Sequence, residues 1–396
     1  MRLILVLFLA FPLLADRVRV VVVTRQPAHD ALRANVISAL ERASDVEPWG
    51  DGPAFAAEID RDDLDALRAD PRVRGVAIDT GGSGGLAQSL PWIGVGLVHS
   101  QGIDGRGTTV AVLDSGIDTD HPAFAGRIAG EACFCDNLDG TGCCPSADIV
   151  RTGPGSAEDD QGHGTHVSGI VLGVAPATNV VAVKVLDSAN RFRSFTQIYR
   201  ALEWIADHRL DVDAINMSLG SDALLTDDEC GSTAIAWGMQ PVIERLRARG
   251  VLIAASSGNN GVTGRMWLPA CMAEVLGVGA TFDTRDDVAT FSNSSPSLDL
   301  LAPGVAITST ARGGGMVTLS GTSMAAPHVA GLIALMKQRA GRAFPSDSIQ
   351  TILRDNGKPV LDTRNGLTTP RIDAFATIAA TPHPPPPMPR RRSVRH

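Results

Sequence analysis

Between residues 180 and 255 the hydrophobic pattern switches period repeatedly. Residues 180–186, 213–218 and 251–255 are short, mostly apolar runs, as expected of strands buried on both faces. Residues 195–208 and 234–249 space their apolar side chains as helices do. Strand–helix alternation of this kind confines the chain to an α/β fold: a mainly parallel sheet with helices on both faces. With 396 residues, 44% of them hydrophobic, there is enough material for one large core and one smaller domain.

Several segments set a polar residue among glycines where such elements begin or end. Residues 109–114 form an apolar run that closes on Asp114. In 160–169 (Asp-Gln-Gly-His-Gly-Thr-His-Val-Ser-Gly), Gly162 and Gly164 flank His163 and helical spacing follows. In 319–331 (Leu-Ser-Gly-Thr-Ser-Met-Ala-Ala-Pro-His-Val-Ala-Gly), Ser323 opens a helix that runs towards Lys337, with Pro327 expected in its first turn. A hydroxyl there faces unpaired N–H groups and the positive end of the helix dipole. Taken singly, these are ordinary caps and turns. Together they supply what nucleophilic acyl transfer needs: a hydroxyl, an imidazole to take its proton, and a carboxylate to fix the imidazole's tautomer.

The order Asp114, His163, Ser323 and the residues around each resemble the subtilisin-like serine proteases, over roughly residues 87–380. A fourth block, 251–261 (Val-Leu-Ile-Ala-Ala-Ser-Ser-Gly-Asn-Asn-Gly), matches that family's oxyanion segment. The resemblance implies a secreted serine endopeptidase in which Asn259 and the Ser323 N–H hold the charge on the scissile carbonyl oxygen. It implies an S1 pocket walled by Ser218, Leu219 and Gly220 on one side and by Ser256, Ser257 and Gly258 on the other. Those small residues point to an open apolar slot, with no carboxylate to select Lys or Arg. Asn190, Arg191 and Phe192 fall on the second substrate edge, where many relatives carry glycines. The chemistry calls for no cofactor.

Metal readings are weaker. His166 follows His163 on the same helical face, but no third ligand is spaced to complete a site, so His166 is expected inside the helix packing. Many subtilases bind calcium through an Asp shortly after the catalytic Asp and a loop inserted after the His block. Here Ala123 and Phe124 follow His121-Pro122, and 169–176 run on without an insertion. Structural calcium elsewhere stays open, with no site identified and no metal ligand assigned.

Residues 1–15 read as a secretory signal: Arg2, an apolar run of 3–14, then a small residue. That run is too short for a stable membrane span. Residues 16–86 carry a βαββαβ pattern and a Gly-rich connector, similar to the ferredoxin-like inhibitory propeptide found before subtilases. Cleavage is expected at Leu86–Ala87, with Leu86 in the apolar S1 slot. Residues 381–396 are rich in Pro and Arg and read as a disordered tail. Export makes disulfides the main reading of the six cysteines over zinc. Cys230 and Cys271 are expected to pair with each other. Cys133, Cys135, Cys143 and Cys144 are expected to form two local bridges of open connectivity.

A net charge of −8 offers no basic surface for nucleic acid. Expected partners are protein or peptide substrates and the chain's own propeptide, with the enzyme acting as a monomer. A dedicated maturation protease or peptide ligase would use the same residues. A non-catalytic peptide-binding module would not need a base beside a hydroxyl. An α/β-hydrolase esterase is disfavoured because 321–325 (Gly-Thr-Ser-Met-Ala) lacks the glycine that closes a G-x-S-x-G elbow.

Overall fold

The computed structural model describes residues 17–25, 34–36, 38, 43–48, 54–78 and 88–383. The expected signal, most of a helix expected at 28–43, the connector with Leu86–Ala87, and the tail beyond 383 lie outside the described residues. The chain divides into two compact units.

The smaller unit is an antiparallel sheet of β1 (Arg17–Thr24), β2 (Ser44–Pro48), β3 (Ala54–Asp60) and β4 (Val73–Ile78), in the order β2-β3-β1-β4. That is the strand order of a ferredoxin-like fold. Period-two alternation puts Val20 and Val22 of β1 on the same face as Phe55, Ala57 and Ile59 of β3. Leu64 and Leu67 of the helix Leu64–Ala69 complete this core.

The larger unit follows from the alternating pattern. Its strands are β5 (Thr109–Asp114), β6 (Ile128–Phe134), β7 (Val150–Thr152), β8 (Asn179–Lys184), β9 (Ala214–Met217), β10 (Leu224–Leu225) and β11 (Leu252–Ser256). They continue with β12 (Met266–Trp267), β13 (Leu276–Thr281), β14 (Leu300–Pro303), β15 (Ile307–Thr310), β16 (Met316–Leu319), β17 (Lys358–Leu361) and β18 (Thr368–Arg371). Ten of them make one sheet, ordered β17-β18-β14-β13-β11-β9-β5-β8-β6-β7. Pairings from β18 to β6 are parallel, and the outermost strand at each edge runs antiparallel.

Alternation along the strands feeds two cores. Val110 and Val112 of β5 face the helices His163–Val174 and Thr322–Ala340. Ala111 and Leu113 face Phe195–His208 and Ala234–Ala248. Thr322–Ala340 is buried on nearly all sides, which explains why its apolar residues show so little preference for one face. Gly331 lets it approach the histidine helix, since a Cβ there would lie 2.7 Å from Val174 Cβ.

From β5 the chain first builds one way, through β6 and β8, and then the other, through β9, β11 and β13. The crevice at such a reversal, beyond the carboxyl ends of the strands, is where open α/β sheets bind ligands. Asp114, Ser218 and Asn259 all lie at or just past the carboxyl ends of neighbouring strands there.

Candidate active site

Asp114 is fully buried at the end of β5, and its Oδ1 accepts the Ser115 N–H at 2.8 Å. The same oxygen lies 2.7 Å from His163 Nδ1. A carboxylate on Nδ1 keeps the proton there and leaves Nε2 as the acceptor. The His163 side chain is 12% exposed. Burial works to lower its pKa, but the Asp114 charge and hydrogen bond, with the Asp159 charge behind them, outweigh burial and raise it above the ordinary imidazole value.

Asp159 shapes the entry to the histidine helix, a role the sequence reading missed. Its Oδ1 accepts from Ser115 Oγ and from the Gln161 and Gly162 N–H groups, and its Oδ2 from the Thr165 N–H and hydroxyl. Ser115 Oγ in turn accepts the Gly164 N–H at 2.9 Å. One buried carboxylate thus joins the end of β5 to the first turn that carries His163. Burial pushes its pKa up, but these hydrogen bonds outweigh burial and hold it below the usual carboxylate value. His166 points away from this group. Its Nε2 meets the carbonyls of Ile307 and Val317, each at 3.1 Å, and burial pushes its pKa down to about 4.

Ser323 is the second residue of Thr322–Ala340. Pro327 lies inside that helix rather than in its first turn, so its missing N–H deprives the Ser323 carbonyl of a helical donor. The Ser218 hydroxyl takes that carbonyl at 2.7 Å, and Asn216 Nδ2 donates to Ser218 Oγ at 3.0 Å. Ser323 Oγ donates to the Ser218 carbonyl at 3.3 Å and makes no hydrogen bond to His163 among the described residues.

Asn259 is oriented through its oxygen. Oδ1 accepts the Thr322 N–H at 2.8 Å and the Thr322 hydroxyl at 2.9 Å, which leaves Nδ2 as the outward donor. Thr322 Oγ1 also accepts the Gly258 N–H at 3.2 Å.

Ser323, Asn259, Ser218, Leu219 and Gly220 share one cleft of about 560 Å³. Its far edge is formed by Asn190, Arg191 and Phe192, as the resemblance implied. Arg191 pairs with Asp222 at 3.2 Å, and Arg193 with Asp136 of the cysteine-rich insertion at 2.9 Å. Ser256 and Ser257 differ from expectation. Both are fully buried, and their hydroxyls bind the Leu219 and Asn293 carbonyls, so they brace the end of β11 instead of lining the cleft. Trp267, which the sequence reading passed over, lines the cleft in their place and rests against Gly258.

Ala123 and Phe124, which stand where the resemblance implied a calcium-binding Asp, offer no side-chain oxygen. Phe124 is buried in a short turn against the His121 ring, and the helix His163–Val174 runs unbroken where the inserted loop would leave it. These residues do not fit the ion. No group of three or more His, Cys, Asp or Glu that could hold a metal occurs among the described residues. Cys230 bridges Cys271 as expected, and the insertion closes as nested Cys133–Cys144 and Cys135–Cys143 bridges.

The profile described as "Subtilase family" matches residues 105–370. The chain belongs to the subtilase family. It is a serine endopeptidase, and this subtilase is 37% identical over 301 residues to M-protease of Shouchella clausii (strain KSM-K16), covering 72% of this chain and 70% of that protein. Subtilisin E of Bacillus subtilis (strain 168) is 37% identical over 299 residues, with the same coverage. Among solved structures, a cold-adapted subtilisin-like serine proteinase superposes with a TM-score of 0.55 at 30% identity, covering 68% of this chain and 90% of that one. Among the described residues, no helix of this subtilase is long and apolar enough to cross a membrane.

Proposed function

We propose that this subtilase is an exported endopeptidase, made as a latent precursor, whose catalytic residues are Asp114, His163 and Ser323. The observation that carries the reading is the 2.7 Å contact of buried Asp114 with His163 Nδ1, at the strand ends where the cleft also presents Ser323 and Asn259. His163 Nε2 takes the proton of Ser323 Oγ as that oxygen bonds to the scissile carbonyl carbon. Asn259 Nδ2 and the Ser323 N–H receive the carbonyl's negative charge. When the C–N bond breaks, Nε2 returns the proton to the leaving amine. Water, deprotonated by the same nitrogen, then releases the acyl group and restores Ser323.

Residues 1–15 direct export, 16–86 assist folding and then inhibit the enzyme, and 87–380 form the catalytic domain, which works as a monomer. Support for the inhibitory role comes from the ferredoxin-like strand order of the smaller unit and the glycine-rich connector after it. The test is a fluorophosphonate probe on purified mature protein. A single adduct on Ser323, with loss of casein hydrolysis in proportion, is expected. An adduct elsewhere, or full activity with Ser323 modified, would refute the assignment.

A further inference from the structure

We propose that Trp267 fills the floor of the S1 pocket, so that this subtilase cleaves after small residues, Gly, Ala or Ser, and rejects large ones. The inference deepens the proteolytic reading above and rests on it.

Gly220 and Gly258 belong to the two segments expected to wall S1. A Cβ built on Gly220 would lie 2.7 Å from Trp267 Cβ and 2.9 Å from its Cε3. One built on Gly258 would lie 2.7 Å from Trp267 Cδ2 and 2.8 Å from Cε2. The indole therefore packs against both glycines, and beside Gly220, which lines the cleft with Trp267, it takes up room that the missing side chain leaves next to the substrate. Gly258 has a φ of +110°, which favours glycine whatever lies nearby. Gly220 has no such backbone requirement, and its missing side chain makes room for Trp267.

Trp267 is also held in place. Its backbone N–H donates to the Ser257 carbonyl at 3.0 Å, and its backbone carbonyl accepts the Cys271 N–H at 3.0 Å. Cys271 is tied to Cys230 by a disulfide. Next to it, Leu268 exchanges hydrogen bonds with Ser221: its carbonyl accepts the Ser221 N–H, and its N–H donates to the Ser221 hydroxyl. These contacts fix the backbone from which the Trp267 side chain projects, and the indole packs against Gly220 and Gly258, so a large P1 side chain meets packed protein. A shallow S1 makes Leu86 a poor P1 residue, so cleavage at the proposed Leu86–Ala87 boundary is expected to be slow.

The test uses mature enzyme and Ala-Ala-Pro-X p-nitroanilides that differ only in X, with active sites counted by the fluorophosphonate probe. Wild type is expected to show a kcat/KM for Ala about tenfold or more above those for Leu and Phe. Trp267→Ala is expected to reverse the ratio by raising Phe and Leu, with Trp267→Val as the second variant should the first not fold. Wild-type enzyme that labels fully and prefers Phe or Leu overturns the inference and leaves the proteolytic reading standing. Protein that neither labels nor cleaves any member overturns both.

Discussion

The Ser218 hydroxyl donates to the backbone carbonyl of Ser323 at 2.7 Å, across 105 positions of sequence. Pro327 creates the need for this bond, because the carbonyl four residues before a helical proline has no N–H to accept. Ser218→Ala leaves that carbonyl without its donor, at a cost of about 1–3 kcal/mol. Expected outcomes are a lower melting temperature and a lower kcat, as the turn carrying Ser323 loosens. Wild-type values for both would show that the bond contributes nothing.

Asp159 sets both the position and the charge environment of His163. The base must be neutral to act, so kcat/KM rises with pH through the raised His163 pKa. Asp159→Asn removes a negative charge that favours imidazolium, and the acid limb of the profile should therefore move to lower pH. Activity should also fall, because an amide cannot accept all the bonds that define the helix entry. A pH–rate profile of the variant decides: an unmoved acid limb means that Asp159 does not act on His163 electrostatically.

Two other histidines make the fold acid-sensitive. His328 is buried between the Met324 carbonyl and Ser89 Oγ, and burial pushes its pKa, like that of His166, down to about 4 from 6.5. As pH falls below 6.5 the unfolded chain binds these protons first, so stability declines progressively until the folded sites titrate near 4. The melting temperature of an inactivated enzyme should drop across that window. His166→Gln should flatten the drop, and an unchanged slope would rule out His166 as a source.

Stability should depend on disulfides more than on calcium. The Cys230–Cys271 bridge closes a loop of 41 residues, worth about 4 kcal/mol in a chain-entropy account. A reductant should lower the melting temperature markedly, whereas a calcium chelator should leave melting temperature and activity nearly unchanged. A large loss on chelation, restored by added calcium, would reveal an ion site that these residues do not suggest.

The βα alternation was legible because each element carries its own period, and the helix Phe195–His208 matches its sequence boundaries at both ends. Asp114, His163, Ser323 and Asn259 could be proposed from sequence because each sits in a local run with distinctive neighbours. What stayed hidden depends on contacts between distant segments. Asp159 matters through Ser115, 44 residues earlier, and nothing local distinguishes it from Asp160. Trp267 sits on a two-residue strand and reads as an ordinary apolar residue until Gly220 and Gly258 are seen against it. Pro327 was misplaced because the substitute donor, Ser218, lies on another strand end. Cys133 and Cys135 are two apart on an extended segment and share a face, so spacing alone did not choose their partners.

Ser323 as nucleophile is the central claim, and Ser323→Ala tests it most directly. The precursor of this variant, expressed in a host lacking other proteases, is measured by intact mass and by peptide hydrolysis. The account predicts a folded protein that keeps residues 16–86 attached, with kcat reduced by about 10⁴-fold or more. Correctly trimmed protein, or a variant that hydrolyses peptides at the wild-type rate, would contradict it.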